Sequence, residues 1–343
     1  MIRGATKMFV RRAAAALFAA AVIVPGAARA EATKLVFATT NPPNSFLTVQ
    51  VFKPWVARVN GASGGTLEVD VRDGPSIANL SNFYDRVTND VVQIVFGMQG
   101  LVGGRFPLSA AAGLPYVADD AVTASVALWR LYKSGMMDTE YQELKPVMLA
   151  VLPQSRLHLT KVPKSIEETA GMKLITSGKE RSEVVSRLGY TPITGSSADM
   201  FPMLQRNVAG GVVSAWPAFE TFKLAEVTAY HLDVPLGGST SIVFMMAKRY
   251  AALPETARKA IDDNSDEKQS RAFGVGWDQM ADEARSTTQK LPGHVFAKLD
   301  SETAEKWRRA AQPVLDDWAR AQPNGEAVLA KFRALLADVQ AGK

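Results

Sequence analysis

Apolar residues change their spacing repeatedly along this chain, and the changes mark out its elements. Leu35-Val36-Phe37-Ala38 is an unbroken apolar run and reads as a first strand. Asn41-Pro42-Pro43-Asn44 supplies turn chemistry. Ser45 is placed to cap a helix whose apolar face includes Phe46, Val49, Phe52, Val56 and Val59, bent at Pro54 and stopped by the glycines between Gly61 and Gly65. Leu67-Glu68-Val69-Asp70-Val71 alternates with period two, the pattern of a half-buried strand. A helix over 80–88 and a buried strand over 91–96 follow. This strand–helix–strand–helix–strand order predicts a parallel or mixed sheet with helices on its faces. Four glycines between Gly97 and Pro107 predict a loop at the carboxyl end of the third strand, where open α/β sheets hold ligands.

The alternation continues through a helix at 121–134 and a strand at 147–152. After Pro153 the strand resumes at 157–159 and leads toward a second lobe. That lobe is built from strands at 172–175, 191–193 and 212–215 and helices at 179–188 and 198–205. A strand over 241–247 returns to the first lobe. From Pro254 the pattern is helical over 255–290, 301–320 and 325–340, broken at Leu291-Pro292-Gly293 and Pro323-Asn324-Gly325. The expected fold is α/β: two lobes joined by crossing strands. Lobe 1 takes 31–152 with the returning segment 241–255, lobe 2 takes 153–240, and long C-terminal helices over 255–343 brace both.

Charge changes this picture only at the N-terminus. The 343 residues carry 39 Lys+Arg and 34 Asp+Glu. Arg3, Lys7, Arg11 and Arg12 precede an apolar run over 13–24, Pro25-Gly26 breaks it, and Ala28-Arg29-Ala30 offers a small-residue cleavage pattern. The segment 1–30 reads as a secretory signal peptide cleaved after Ala30. Its removal takes away every excess positive charge and leaves 34 residues of each sign. The remaining chain has no net basic character with which to neutralise phosphates, so nucleic acid is not an expected partner. No later segment is apolar and long enough to span a membrane, so stable membrane insertion is not expected. The expected location is the periplasm. There are no cysteines, which removes disulfides, thiol nucleophiles and Cys-ligated metals.

Catalytic motifs are absent. There is no G-x-S-x-G, no P-loop and no G-x-G-x-x-G, and Gly97-Met98-Gln99-Gly100 and Gly103-Gly104 have loop spacing. His158, His231 and His294 lie far apart without H-E-x-x-H and read as structural residues. Asp262-Asp263-Asn264 and Asp316-Asp317 read as solvated helical faces. Neither a metal nor a cofactor is expected, and no enzymatic activity.

Six stretches, in order and correctly spaced, carry a family likeness. They are Tyr84-Asp85-Arg86-Val87; Gly103-Gly104-Arg105-Phe106-Pro107 with Gly113-Leu114-Pro115-Tyr116; Lys161 to Ile166 leading into Gly171-Met172-Lys173-Leu174; Leu188-Gly189-Tyr190-Thr191-Pro192-Ile193; Trp216 with 222–227 and Tyr230-His231-Leu232; and Met246 to Tyr250 with Leu253-Pro254. Together they resemble the solute-binding proteins of TRAP transporters, the DctP-type family known from C4-dicarboxylate uptake. The resemblance implies a two-lobed, class II-like periplasmic binding fold. It implies a cleft that closes on one small organic solute and presents it to the TRAP membrane permease subunits. A sensor of the same fold, signalling to a membrane receptor, stays open as the alternative. So does an enzyme grown on that fold.

The departures bear on the ligand. The family position that usually carries a carboxylate-forking Arg is Ile175, the Asn of its "mNk" stretch is Ala247, and a further ligand-binding Arg falls near Ser155, with Arg156 one residue out of register. The usual carboxylate clamp is thus missing. The ligand expected is neutral, zwitterionic or largely apolar, or a carboxylate read by another group such as Arg156 or Arg181. Ligand contacts are expected from Asn44, Gln99, Gln154, Arg156, Ile175, Thr176, Trp216, Met246 and Ala247, with Trp216 a flat stacking surface.

Overall fold

In the computed structural model, which describes residues 31–343, the alternating pattern resolves into eleven strands in two sheets. The signal peptide read over 1–30, with its cleavage point, lies outside the described residues. β1 (Thr33–Ala38), β2 (Leu67–Arg72), β3 (Ile94–Met98) and β4 (Leu144–Val151) belong to the first sheet. β5 (Arg156–Leu159), β6 (Lys173–Thr176), β7 (Thr191–Thr194), β8 (Gly211–Ser214) and β9 (Tyr230–Leu232) belong to the second. β10 (Thr240–Met246) returns to the first sheet, and β11 (Val295–Ala297) adds to the edge of the second. The strand orders are β2-β1-β3-β10-β4 and β11-β9-β5-β8-β6-β7. β1 pairs in parallel with β2 and β3, while β10 runs antiparallel between β3 and β4.

The pleat of each sheet feeds two cores. In β1, Leu35 and Phe37 pack with Trp55, Phe52 and Phe273, whereas Ala38 enters the opposite core with Phe83, Leu128 and Phe244. In the second sheet, Leu157, Leu159, Val213 and Leu232 pack under the helix Lys179–Arg187, and Ile175, Val212 and Trp216 pack on the other face. The two sheets are joined by paired crossing strands. Leu152 N–H donates to Ser239 O, Ser155 N–H to Gly237 O, and Leu236 N–H to Ser155 O. Gly238 N–H donates to Gly113 O at 2.8 Å. A side chain on Gly113 would meet Gly238 O at 3.0 Å, and one on Gly238 would meet Leu152 O at 2.9 Å, so glycine at both positions lets the loop and the two crossing strands approach closely.

Two C-terminal helices reach into cores of both sheets. Glu267–Gln289 buries Phe273 and Trp277 against the first sheet and Ala281 and Ala284 against the second. Ser301–Ala321 buries Trp307, Ala311 and Val314 with the second and Leu315, Trp318 and Ala319 with the first.

Some boundaries depart from the periodicity. Leu47–Phe52 is wound as a π-helix before Lys53–Ala62 continues as α-helix, so the burial pattern slips: Leu47 and Val51 are buried and Val49 is exposed. The winding changes beside Pro54, which has no N–H to donate. The third strand is β3, three residues later than the apolar run suggests. Val91 N–H is spent on Arg86 O in the turn after the helix Phe83–Thr88, and pairing with β1 starts at Gln93. The helix read over 255–290 is two helices, Glu255–Asp263 and Glu267–Gln289, because Asp266 caps the second by accepting from Gln269 N–H. β9, β11 and the helix Ala218–Phe222 are not among the elements expected from the sequence.

Candidate ligand-binding site

Strand β5 carries its polar residues on one face. Arg156 lies opposite Ser214 of β8, and His158 lies opposite both Val212 of β8 and His231 of β9. Leu157 and Leu159 fill the other face. The chain leaving β8 turns at once through Ala215-Trp216-Pro217, and the Trp216 indole settles over this polar face. Its ring meets that of His158 edge-on at 4.8 Å and lies flat on Phe296 of β11, 5.6 Å away with planes 9° apart. Trp216 is 8% exposed.

Beside this stack is a small recess, open to solvent on one side. Its floor is Trp216, His231 and Phe296, and its rim carries Arg156, Asp233, Arg285 and Lys298. Arg156 Nε donates to Asp233 Oδ1 at 2.6 Å, and its Nη1 donates to Gln154 O. Arg285 Nη2 lies 3.9 Å from Asp233 Oδ2. One carboxylate therefore serves two guanidiniums, with an ammonium nearby, and the recess is cationic over an aromatic floor.

The three histidines stand in file, with His231 in the floor. His158 Nε2 is 3.1 Å from Ser214 O, His158 Nδ1 is 2.9 Å from His231 Nδ1, and His231 Nε2 is 2.9 Å from His294 Nδ1. The last two rings are stacked 3° from parallel. Burial holds the His158 pKa well below the ordinary imidazole value and brings that of His231 down to about 3; the neighbouring imidazole pushes each the same way. Burial also lowers that of His294. Among the described residues no group of three or more His, Asp or Glu is arranged to hold a metal ion.

Arg156 and Trp216 are the two expected ligand residues that the fold brings into this recess. Ile175 is fully buried in the adjoining core, and Thr176 is buried with its hydroxyl on Ser182 Oγ at 2.7 Å. Gln154 is spent on the crossing: Nε2 donates to Leu114 O and Oε1 accepts from Gly237 N–H. Gln99 is buried on Tyr141 OH in the first sheet's core. Asn44 stays exposed in its turn. Met246 and Ala247 sit at the end of β10 remote from the crossing, about 20 Å along the strand from Thr240. They border the first sheet's core, and Ala247 N–H donates to Glu143 O. Met246 and Ala247, at the far end of β10, therefore do not join Ile175 and Trp216, which share one core of the second sheet.

Arg181 forms a second centre, at the crossing. It is half-buried, and its Nη1 reaches Ser155 Oγ, Ser239 Oγ and Gly238 O, while Nε and Nη2 bind Ser177. All these partners are neutral. Burial without a paired acid brings its pKa down to about 10.

Residues 37–322 match the model of the bacterial extracellular solute-binding proteins, family 7. The chain belongs to that family. Family 7 proteins are substrate-binding receptors and not a class of enzymes. A TRAP solute-binding protein from Rhodoferax ferrireducens, solved with copurified benzoate, superposes with TM-score 0.81 at 22% identity, covering 91% of this chain and 100% of that one. One from a marine metagenome, from an unidentified microbe and bound to metahydroxyphenylacetate, gives 0.80 at 23% identity over 89% and 98%. A third, from Bordetella bronchiseptica with bound mandelate, gives 0.78 at 23% over 90% and 99%. These likenesses show the two-lobed TRAP receptor fold. A curated relative, the outer membrane transporter protein TsaT of Comamonas testosteroni, is 26% identical over 95% of this chain and 98% of its own length. Among the described residues, no helix of this family 7 protein is long and apolar enough to cross a membrane.

The residues that sequence reasoning missed are His231, Asp233, Arg285, Phe296 and Lys298. One signal was present for the first: Leu157-His158-Leu159 and Tyr230-His231-Leu232 each alternate, which places each histidine on the face away from its apolar neighbours.

Proposed function

We propose that this family 7 protein captures a small, planar organic acid as its anion in the Arg156–Trp216 recess and delivers it to a TRAP membrane permease. The observation that carries this is the meeting of Arg156 with Trp216 beside Asp233 and Arg285, which offers flat stacking and unbalanced positive charge in one place. A guanidinium matches two carboxylate oxygens, and the indole takes the ring. Ile175 no longer supplies the family's arginine, so Arg156, with Arg285, is the reader of charge. Three receptors of the same fold bind benzoate, metahydroxyphenylacetate and mandelate, all aromatic acids.

In this reading lobe 1 is 31–152 with 241–255, lobe 2 is 153–240, and the segment 255–343 braces both. The crossing at Gly113 and Gly238 is the hinge. The recess is lined by lobe 2 and the bracing segment, so a ligand held there favours the closed state through the contacts that lobe 1 makes on closing over it. The protein works in the periplasm after losing residues 1–30.

A thermal-shift panel of aromatic, aliphatic and sugar acids with neutral analogues tests the reading. A ligand at 100 times its Kd adds about 2.7 kcal/mol, a shift of several degrees. Aromatic carboxylates are expected to raise the melting point and the corresponding amides to leave it unchanged. A rise with neutral compounds alone would overturn the proposal.

A further inference from the structure

The three histidines that the binding reading leaves unused are joined end to end, and their hydrogens can be counted. Ser214 O only accepts, so His158 Nε2 carries a hydrogen. In the neutral ring His158 Nδ1 then accepts, and the hydrogen in the 2.9 Å gap belongs to His231 Nδ1. His231 Nε2 accepts in turn, and the hydrogen in the next 2.9 Å gap belongs to His294 Nδ1. The one nitrogen left bare is His294 Nε2, at the outer, half-buried end.

This count fixes what acid does. A proton arriving at His294 Nε2 breaks no contact. The hydrogens already in the two gaps can then each move one nitrogen inward, so the positive charge passes to His231 or His158 with every hydrogen bond intact. A second added proton would force two hydrogens into one gap. The file is therefore a store for a single proton, filled from outside, with its middle ring in the floor of the recess.

We infer that the file couples ligand capture to proton uptake: an anion seated in the recess draws one proton onto His294–His231–His158. The link to ligand rests on the recess being the binding site. The charges around the file set the sign. Arg156 on β5, Arg285 on the helix Glu267–Gln289 and Lys298 after β11 all oppose an added proton when the recess is empty. Asp233, just after β9, is the one nearby acid lining the recess, and it is already shared by two arginines. β8 contributes the Ser214 carbonyl, and the helix Ala218–Phe222 contributes the uncharged ring of Phe219. A bound carboxylate cancels part of the surrounding positive charge and relieves the opposition.

Nitrogen NMR of histidine-labelled protein tests the file without any ligand, since there are only three residues to assign. At pH 8 the expected pattern is one Nε2–H ring and two Nδ1–H rings, with acid adding one proton shared along the file. Three independent titrations near the ordinary imidazole value, or Nε2–H at all three rings, would overturn the proposal. Calorimetry with benzoate, in two buffers of different protonation heat, tests the coupling. Uptake approaching one proton and about tenfold tighter binding at pH 5.5 than at pH 8 are expected. His294→Asn keeps a donor toward His231 but cannot take the proton. It should bind benzoate normally at pH 8 and lose the gain at pH 5.5. A gain that survives in His294→Asn, or no gain in the native protein, refutes the coupling. The nitrogen spectra decide the file whether or not benzoate is a ligand, so failure of the site and failure of the relay are told apart.

Discussion

Arg156 Nε lies 2.6 Å from Asp233 Oδ1, while the other oxygen of Asp233 is 3.9 Å from Arg285. A carboxylate shared in this way holds both guanidiniums in place without neutralising them. It also competes with any incoming anion. Asp233→Asn is expected to tighten benzoate binding several-fold, whereas Arg156→Gln weakens it about 10- to 100-fold, the worth of a charge-assisted hydrogen bond. Calorimetric titration checks both. Equal affinities in Arg156→Gln and the native protein would remove Arg156 from the site.

Trp216 lines the recess and is also a packing residue. It touches His158, Phe219, His231 and Phe296 in one aromatic cluster. Trp216→Ala should cost about 3–5 kcal/mol of folding stability. Urea unfolding should show a lower midpoint with an unchanged slope. A loss under about 1 kcal/mol would mean that the stack is loosely packed.

Arg181 ties the start of the helix Lys179–Arg187 to both crossing strands through Ser155, Gly238 and Ser239. A lysine cannot present the same planar fork. Arg181→Lys is therefore expected to destabilise by about 1–3 kcal/mol, the cost of leaving buried polar partners unmade, and to lower the melting midpoint. No change in that midpoint would show that the fork is dispensable.

Acid should weaken the empty fold. His158 and His231 have folded pKa values below the unfolded value of about 6.5, so below that pH the unfolded chain binds protons that the fold refuses. Stability is fully present above about pH 6.5 and falls as pH drops toward the folded value of about 3 for His231. The slope approaches about 1.4 kcal/mol per pH unit for each proton withheld. Urea unfolding at several values between pH 7.5 and 4.5 gives the slope, and His231→Phe should flatten it. A steeper fall in His231→Phe than in the native protein would reverse this assignment.

The fold was legible because β1, β2, β6 and β8 carry runs or alternations that hold their meaning locally. The crossing was legible too, since Pro153 interrupts a strand that resumes on the far side. β11 was hidden: its three residues Val295–Ala297 follow Pro292-Gly293 and are strand only because β9 offers a partner. The candidate recess was half legible. Arg156 and Trp216 stood out as an arginine beside an expected clamp position and a tryptophan after a strand. Asp233, Arg285 and Phe296 come from three separate elements, and only the pairing of β9 with β11 and the course of the helix Glu267–Gln289 bring them together. Met246 and Ala247 drew attention through their place in a motif, but that motif marks the far end of β10.

The position of β10 governs the order in which the protein can complete itself. The strand that fills the gap between β3 and β4 emerges from the ribosome only after residues 152–239 have been made. Until then β4 has no partner strand in the first sheet, and that sheet cannot be completed. Pairing across such a long loop is slow to form. Late arrival of β10 therefore leaves the first sheet incomplete until more than two thirds of the chain has been made.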